Sequence, residues 1–167
     1  MDEEFELFEE KLDILPRPLT ERAREFLEAG RRQIPQVNCF DFVPSNYEHA
    51  WNVLASLPPG KLCEWGSGLG IVVGLAELLG FEACGIELDE TLAESSRELL
   101  RSQGLTATIY TGSYYDIAVE SDYYYVYSWP SQFNGVQARF YRDMPPTSKL
   151  LICNGQDDIR IKRSGSR

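Results

Sequence analysis

Lys61-Leu62-Cys63-Glu64-Trp65-Gly66-Ser67-Gly68-Leu69-Gly70 reads as a strand that breaks into a glycine-rich bend and then starts a helix. The apolar pair Leu62 and Cys63 runs into an acid, Glu64, and glycines follow at alternate positions, Gly66, Gly68 and Gly70. The apolar run from Ile71 to Leu79 then has helical length. Glycines allow positive φ and let a ligand approach the backbone with no Cβ in the way. The free N–H groups of the first helical turn point into the same space.

A second acid closes a second apolar run, Cys84-Gly85-Ile86-Glu87-Leu88-Asp89. Glu87 lies 17 residues past Gly70, the room that a helix and a returning strand need. A dinucleotide fingerprint, G-x-G-x-x-G/A, would require a small third residue for close helix–strand packing. Counting from Gly66 places Ile71 there, and counting from Gly68 places Val73. Both are too large, which argues against a nicotinamide oxidoreductase. A glycine turn in some other parallel α/β domain remains the plain alternative, because folds host many functions.

The form acid-x-G-x-G-x-G, followed by the acid at Glu87, resembles motif I and the second strand of class I S-adenosylmethionine-dependent methyltransferases. The resemblance implies that Glu87 grips the ribose hydroxyls and that Gly66, Gly68 and Gly70 admit the methionyl part. Glu64 would offset the donor's positive charge through its amino group or a bound water. The third strand's loop, Thr111-Gly112-Ser113-Tyr114-Tyr115-Asp116, has Ser113 where the family usually has an Asp touching adenine, with Asp116 a later acid. Ser128-Trp129-Pro130 stands where the family commonly places a substrate-facing motif, and it does not match the amino-methylating form. The implied cofactor-binding set is Glu64, Gly66, Ser67, Gly68, Gly70, Glu87, Leu88, Ser113, Tyr114, Ser128 and Trp129. Ser128 and Tyr47 are the candidates for orienting an acceptor. No residue stands out as a general base, which suits a nitrogen or sulfur acceptor that loses its proton to solvent.

Outward from the motif, strands are expected near 61–65, 82–87, 106–110, 123–128 and 148–153, with helices near 70–80, 91–103 and 132–143. Alternating strand and helix predicts an α/β fold, a doubly wound, mostly parallel sheet in a three-layer αβα sandwich. Right-handed crossovers give the order 3-2-1-4-5, with ligands at the switch point outside the strand carboxyl ends. Asn154-Gly155 is a hairpin signal. Ile159 to Lys162 then alternates as a short edge strand. The full family sheet has seven strands, so at least one is expected to be missing.

Residues 1–60 are expected to form a helical cap or lid, 61–163 the Rossmann-like core and 164–167 a disordered tail, in one domain overall. Phe5, Phe8 and Leu12 recur at helical spacing until Pro16 and Pro18. Thr20 is a plausible N-cap for a helix that stops at Gly30, and Ser45-x-x-Glu48 is a capping box for the next. Seven of the nine tyrosines fall between Tyr110 and Tyr127. Strand propensity explains most of them, while Tyr114 and Trp129 sit at strand exits where an aromatic face can hold a cation.

The 167 residues suit one compact unit. The net charge of −10 argues against a nucleic-acid acceptor, since phosphate backbones are held by Lys and Arg. Basic residues do cluster at Arg22, Arg24, Arg31 and Arg32, and again at Arg160, Lys162, Arg163 and Arg167. The four cysteines form no C-x-x-C pair and His49 is the only histidine, so no metal site is suggested. No stretch is long and apolar enough to span a bilayer and the opening residues are acidic, so a cytoplasmic protein is expected. The activity expected is S-adenosylmethionine-dependent methyl transfer to a small molecule or protein. The alternatives are a module that binds the cofactor without transfer and, further off, an NAD(P) oxidoreductase. The acceptor and the oligomeric state are not legible.

Overall fold

The computed structural model describes residues 6–39 and 42–165. Along the chain run β1 (Leu7–Glu10), α1 (Glu21–Gln33), α2 (Tyr47–Ala55), β2 (Lys61–Trp65), α3 (Ile71–Leu78), β3 (Glu82–Glu87) and α4 (Glu90–Ser102). They are followed by β4 (Thr108–Thr111), β5 (Tyr123–Tyr127), α5 (Phe133–Asp143), β6 (Lys149–Gly155) and β7 (Asp158–Ser164). One seven-stranded sheet has the order β1-β7-β6-β5-β2-β3-β4. Its five central strands, β4-β3-β2-β5-β6, are parallel and keep the expected 3-2-1-4-5 order.

The sheet is complete where a strand was expected to be missing. The helix expected over Phe5, Phe8 and Leu12 is instead β1, with Phe5 outside the described residues. β1 lies antiparallel on β7, pairing Leu7 with Ser164 and Glu10 with Ile161. Complementary charge explains the choice. Glu10 meets Lys149 at 2.8 Å and Arg163 at 3.1 Å, and the Arg163 guanidinium lies 5.5 Å over the Phe8 ring. β7 is therefore an inner strand and not an edge. Ser164, expected to open a disordered tail, ends it. The β6–β7 turn falls at Gln156-Asp157 rather than Asn154-Gly155, with a register shift between Cys153 and Gly155.

Strand residues alternate between two cores, as a period of two requires. Leu62, Tyr123, Tyr125, Leu151 and Cys153 face the layer of α1, α2, α3 and α4. Cys63, Trp65, Tyr124, Val126, Leu150 and Ile152 face α5 through Val136, Phe140 and Met144. Thr20 caps α1 as expected, its hydroxyl accepting the Ala23 N–H at 3.1 Å. Gly30 does not stop that helix. A Cβ there would stand 2.8 Å from Ile71, so the glycine lets α1 approach α3 closely, as Gly74 does under Phe26. α2 is capped by Asn46, whose side chain accepts the His49 N–H at 3.1 Å, one residue after the expected Ser45.

A candidate cofactor site at the strand tips

β2 ends in a bend shaped by backbone demands. Gly66, Gly68 and Gly70 all have positive φ, at 73°, 57° and 75°. The bend is sewn to the neighbouring strand, because the N–H groups of Gly66 and Ser67 both donate to the Ile86 carbonyl at 2.8 and 3.0 Å. A Cβ on Gly66 would meet nothing within 4 Å, so that residue opens to space. A Cβ on Gly68 would come within 3.0 Å of the Phe42 ring, which covers the middle of the bend. Gly70 turns toward Ser96 and Leu100 of α4 and caps α3.

Above the bend lies a cavity of about 550 Å³, within the range of small-molecule sites. Of the expected residues, Glu64, Gly66, Ser67, Gly68, Glu87, Leu88, Ser113, Tyr114, Trp129 and Tyr47 share its wall. Gly70 and Ser128 are not on it. The buried Ser128 hydroxyl donates to the Trp129 carbonyl at 3.2 Å, so this candidate for acceptor contact is turned into its own loop. Asp116 and His49 are also absent from the wall. Ser113 is present, and its hydroxyl accepts the Tyr115 N–H at 3.1 Å.

The two acids have different surroundings. The Glu87 carboxylate accepts the Gly68 N–H at 2.9 Å and the Asp89 N–H at 2.8 Å, one bond to each oxygen. Each oxygen keeps acceptor capacity for a ligand. Glu64 is buried, and its Oε2 has no partner. Burial, and then the charge of Glu87, pushes its carboxyl well above the ordinary value. Beside it in the sheet stands Tyr125, whose buried hydroxyl has no oxygen or nitrogen partner and only the weakly polar Cys153 thiol against it. Burial and then the Glu64 charge push the Tyr47 hydroxyl up to about 12.

Buried polar groups are nearly always paired, so orphans need a cause. Among the described residues four buried side-chain atoms lack partners: Glu64 Oε2, Ser67 Oγ, the Tyr125 hydroxyl and Trp51 Nε1. The first three belong to residues of this one cavity wall. An acidic recess with an open backbone, unsatisfied acceptors and a fixed carboxylate fits an adenosyl sulfonium with ribose hydroxyls and an ammonium group. No cluster of potential metal ligands occurs among the described residues. No helix there is long and apolar enough to cross a membrane.

Several wall residues were not read from the sequence. Phe42, Val43 and Ser45 come from the loop before α2, and Gln132 from the short turn before α5. Tyr125 and Tyr127 carried a usable signal, since they alternate on one face of β5 and Tyr125 is in register with Glu64. Tyr114 stacks on Trp65, with ring centroids 5.1 Å apart and planes 5° from parallel.

No family model and no curated protein matches the sequence. Solved structures do match. An RNA methyltransferase from Salinibacter ruber in complex with S-adenosyl-L-homocysteine superposes with a TM-score of 0.56 at 14% identity, over 89% of this chain and 93% of that one. An S-adenosyl-L-homocysteine-bound methyltransferase from Podospora anserina gives 0.63 at 16% identity, over 81% of this chain and 63% of that one. A ribosomal-protein methylase from Lactobacillus delbrueckii subsp. bulgaricus gives 0.55 at 14% identity, over 64% and 58%. The chain thus spans less than two thirds of the length of the latter two. Together with the strand order and the bend at Gly66 to Gly70, these likenesses show that the chain has the class I methyltransferase fold.

Proposed function

We propose that the protein binds S-adenosylmethionine in the cavity above Gly66 and transfers its methyl group to an acceptor. The observation that carries this reading is the grouping of three residues with an orphaned polar atom, Glu64, Ser67 and Tyr125, on one cavity wall, beside a glycine with no neighbour within 4 Å. When bound, the donor supplies a methyl already activated on a sulfonium, so alignment and exclusion of water are most of what is needed.

The chain's own groups divide that work. Gly66 brings bare backbone to the ligand, and the N–H groups of Gly68 and Asp89 hold the Glu87 carboxylate in place for a ribose diol. Glu64 and Tyr125 offer oxygen atoms to an ammonium group or to a water that bridges to it. Leu88 and the loop Ser113-Tyr114 flank the position for the base. Tyr47 and Phe42 cover the site from the amino-terminal side, the part that residues 1–60 play in this reading. Trp129 stands at the outlet toward the acceptor.

Calorimetry with S-adenosylhomocysteine, S-adenosylmethionine and NAD tests the assignment. The first two should bind and NAD should not; NAD binding alone would refute it. Binding without incorporation of labelled methyl into any fraction of a cell extract would favour a module that holds the cofactor without transfer. Ser113 supports that second reading, because its hydroxyl serves its own turn and brings no charge to an adenine amine.

A further inference from the structure

Besides the proton-bearing Glu64, the cavity wall carries two acids, Glu87 and Asp89, and among the described residues no lysine, arginine or histidine. Its outlet is aromatic. Tyr127 and Trp129 leave β5 edge to face, with centroids 6.2 Å apart at 85°, and Trp129 is 44% exposed. Tyr115, also exposed, stands on the wall beside Tyr114, at a centroid separation of 4.9 Å. Among the described residues, none of the clustered basic side chains stands on this wall. Arg31 pairs with Glu48 at 2.7 Å, Arg160 with Asp158 at 3.2 Å and Arg163 with Glu10 at 3.1 Å.

A cleft lined by one sign of charge concentrates ligands of the other and repels its own. Aromatic faces add attraction for a cation and none for a phosphate. Resting on the cofactor reading above, we propose that the methyl acceptor is a primary amine, cationic in solution, that enters past Trp129 and Tyr127. The amine is free or borne on a lysine side chain; a phosphorylated acceptor or RNA does not suit this outlet.

The transfer balances with no further reagent. The ammonium first loses a proton to water. The free amine nitrogen then bonds to the methyl carbon as the carbon–sulfur bond breaks, and that bond's electron pair passes to sulfur, leaving a neutral thioether. The methylammonium product sheds its extra proton to solvent through the open mouth.

The test uses protein preloaded with S-adenosylhomocysteine and titrated calorimetrically. The probes are tryptamine, its uncharged analogue N-acetyltryptamine, a lysine-containing peptide, adenosine monophosphate and polyuridine RNA. Tryptamine or the peptide should bind at least tenfold tighter than N-acetyltryptamine, and the tighter of the two identifies a free or a protein-borne amine. Trp129→Arg should weaken that binding at least tenfold, and Tyr127→Leu, checked for folding by circular dichroism, should weaken it too. With S-adenosylmethionine in place, labelled methyl should appear on the amine nitrogen. Equal binding of charged and uncharged analogues, or tighter binding of adenosine monophosphate or RNA, overturns the amine class. If no amine binds while S-adenosylhomocysteine does, the amine class falls and the cofactor reading stands. If S-adenosylhomocysteine itself does not bind, both fall.

Discussion

Glu87 at the tip of β3 accepts the backbone N–H of Gly68, in the bend that follows β2, at 2.9 Å. The two halves of the site are thereby joined before any ligand arrives, because the acid that faces the cavity also fixes the loop beneath it. A charge-assisted bond from a buried carboxylate to a backbone N–H is among the stronger kinds.

Replacing that acid should therefore cost stability and affinity together. Glu87→Ala leaves the Gly68 and Asp89 donors unpaired, at about 1–3 kcal/mol of folding stability, and should lower S-adenosylhomocysteine affinity at least tenfold. Glu87→Gln retains an acceptor and should recover part of the stability while still binding weakly. Urea unfolding and calorimetry measure the two losses. Unchanged affinity in Glu87→Ala would remove the ribose assignment.

Glu64 should make stability depend on pH. Its carboxyl is pushed well above the ordinary 4.5 by burial and then by the Glu87 charge. In the unfolded chain it ionises near the ordinary value. Between that value and the raised one, the folded state holds a proton that the unfolded state has lost. Stability should fall as pH rises through this window, by about 1.4 kcal/mol per pH unit. Glu64→Gln should lack that slope, so its advantage over the parent should grow from pH 4.5 upward in urea titrations. A cation bound beside Glu64 should expel the proton, visible as a heat that varies with the buffer's ionisation enthalpy.

Two glycine substitutions should separate site from scaffold. Gly66→Ala adds a methyl group that meets no neighbour within 4 Å but imposes a φ of 73° on an L residue. The strain is about 1–2 kcal/mol, and the methyl occupies ligand space, so affinity should drop at least tenfold. Gly74→Ala would place Cβ 2.2 Å from the Phe26 ring. Overpacking of that kind costs about 1–3 kcal/mol, with affinity at a temperature where the variant is folded left within twofold.

The first strand should be held partly by charge. Glu10 bridges Lys149 and Arg163, and its side chain is 31% exposed. Glu10→Ala should lose about 0.5–1 kcal/mol, a difference that shrinks as salt is added. Thermal melts across a salt series measure it. A salt-independent loss would mean that packing and not charge holds the strand.

What was legible in the sequence was whatever the backbone or the strand period enforces locally. The three glycines of the bend, the acids Glu64 and Glu87 and the five parallel strands all announce themselves within short windows. The covering residues do not, because Phe42 meets Gly68 only after the chain has folded back across α2. β1 was misread as a helix since its partner lies at the opposite end of the chain, and the matching of Glu10 to Lys149 and Arg163 leaves no local trace. Gly30 was misread as a helix stop because a glycine needed for contact with Ile71 looks the same in sequence as one needed for a turn. Ser128 fails for a related reason. A hydroxyl at a strand exit is a good candidate, but the backbone carbonyl next door claims it.

The pairing of Leu7 with Ser164 joins segments far apart in sequence. During synthesis β1 has no partner until β7 has also left the ribosome. The parallel centre can assemble meanwhile, so docking of the amino-terminal segment is expected to be a late event. A circular permutant that links the two ends and opens the Gln156-Asp157 turn should still assemble, with that docking moved to an early step.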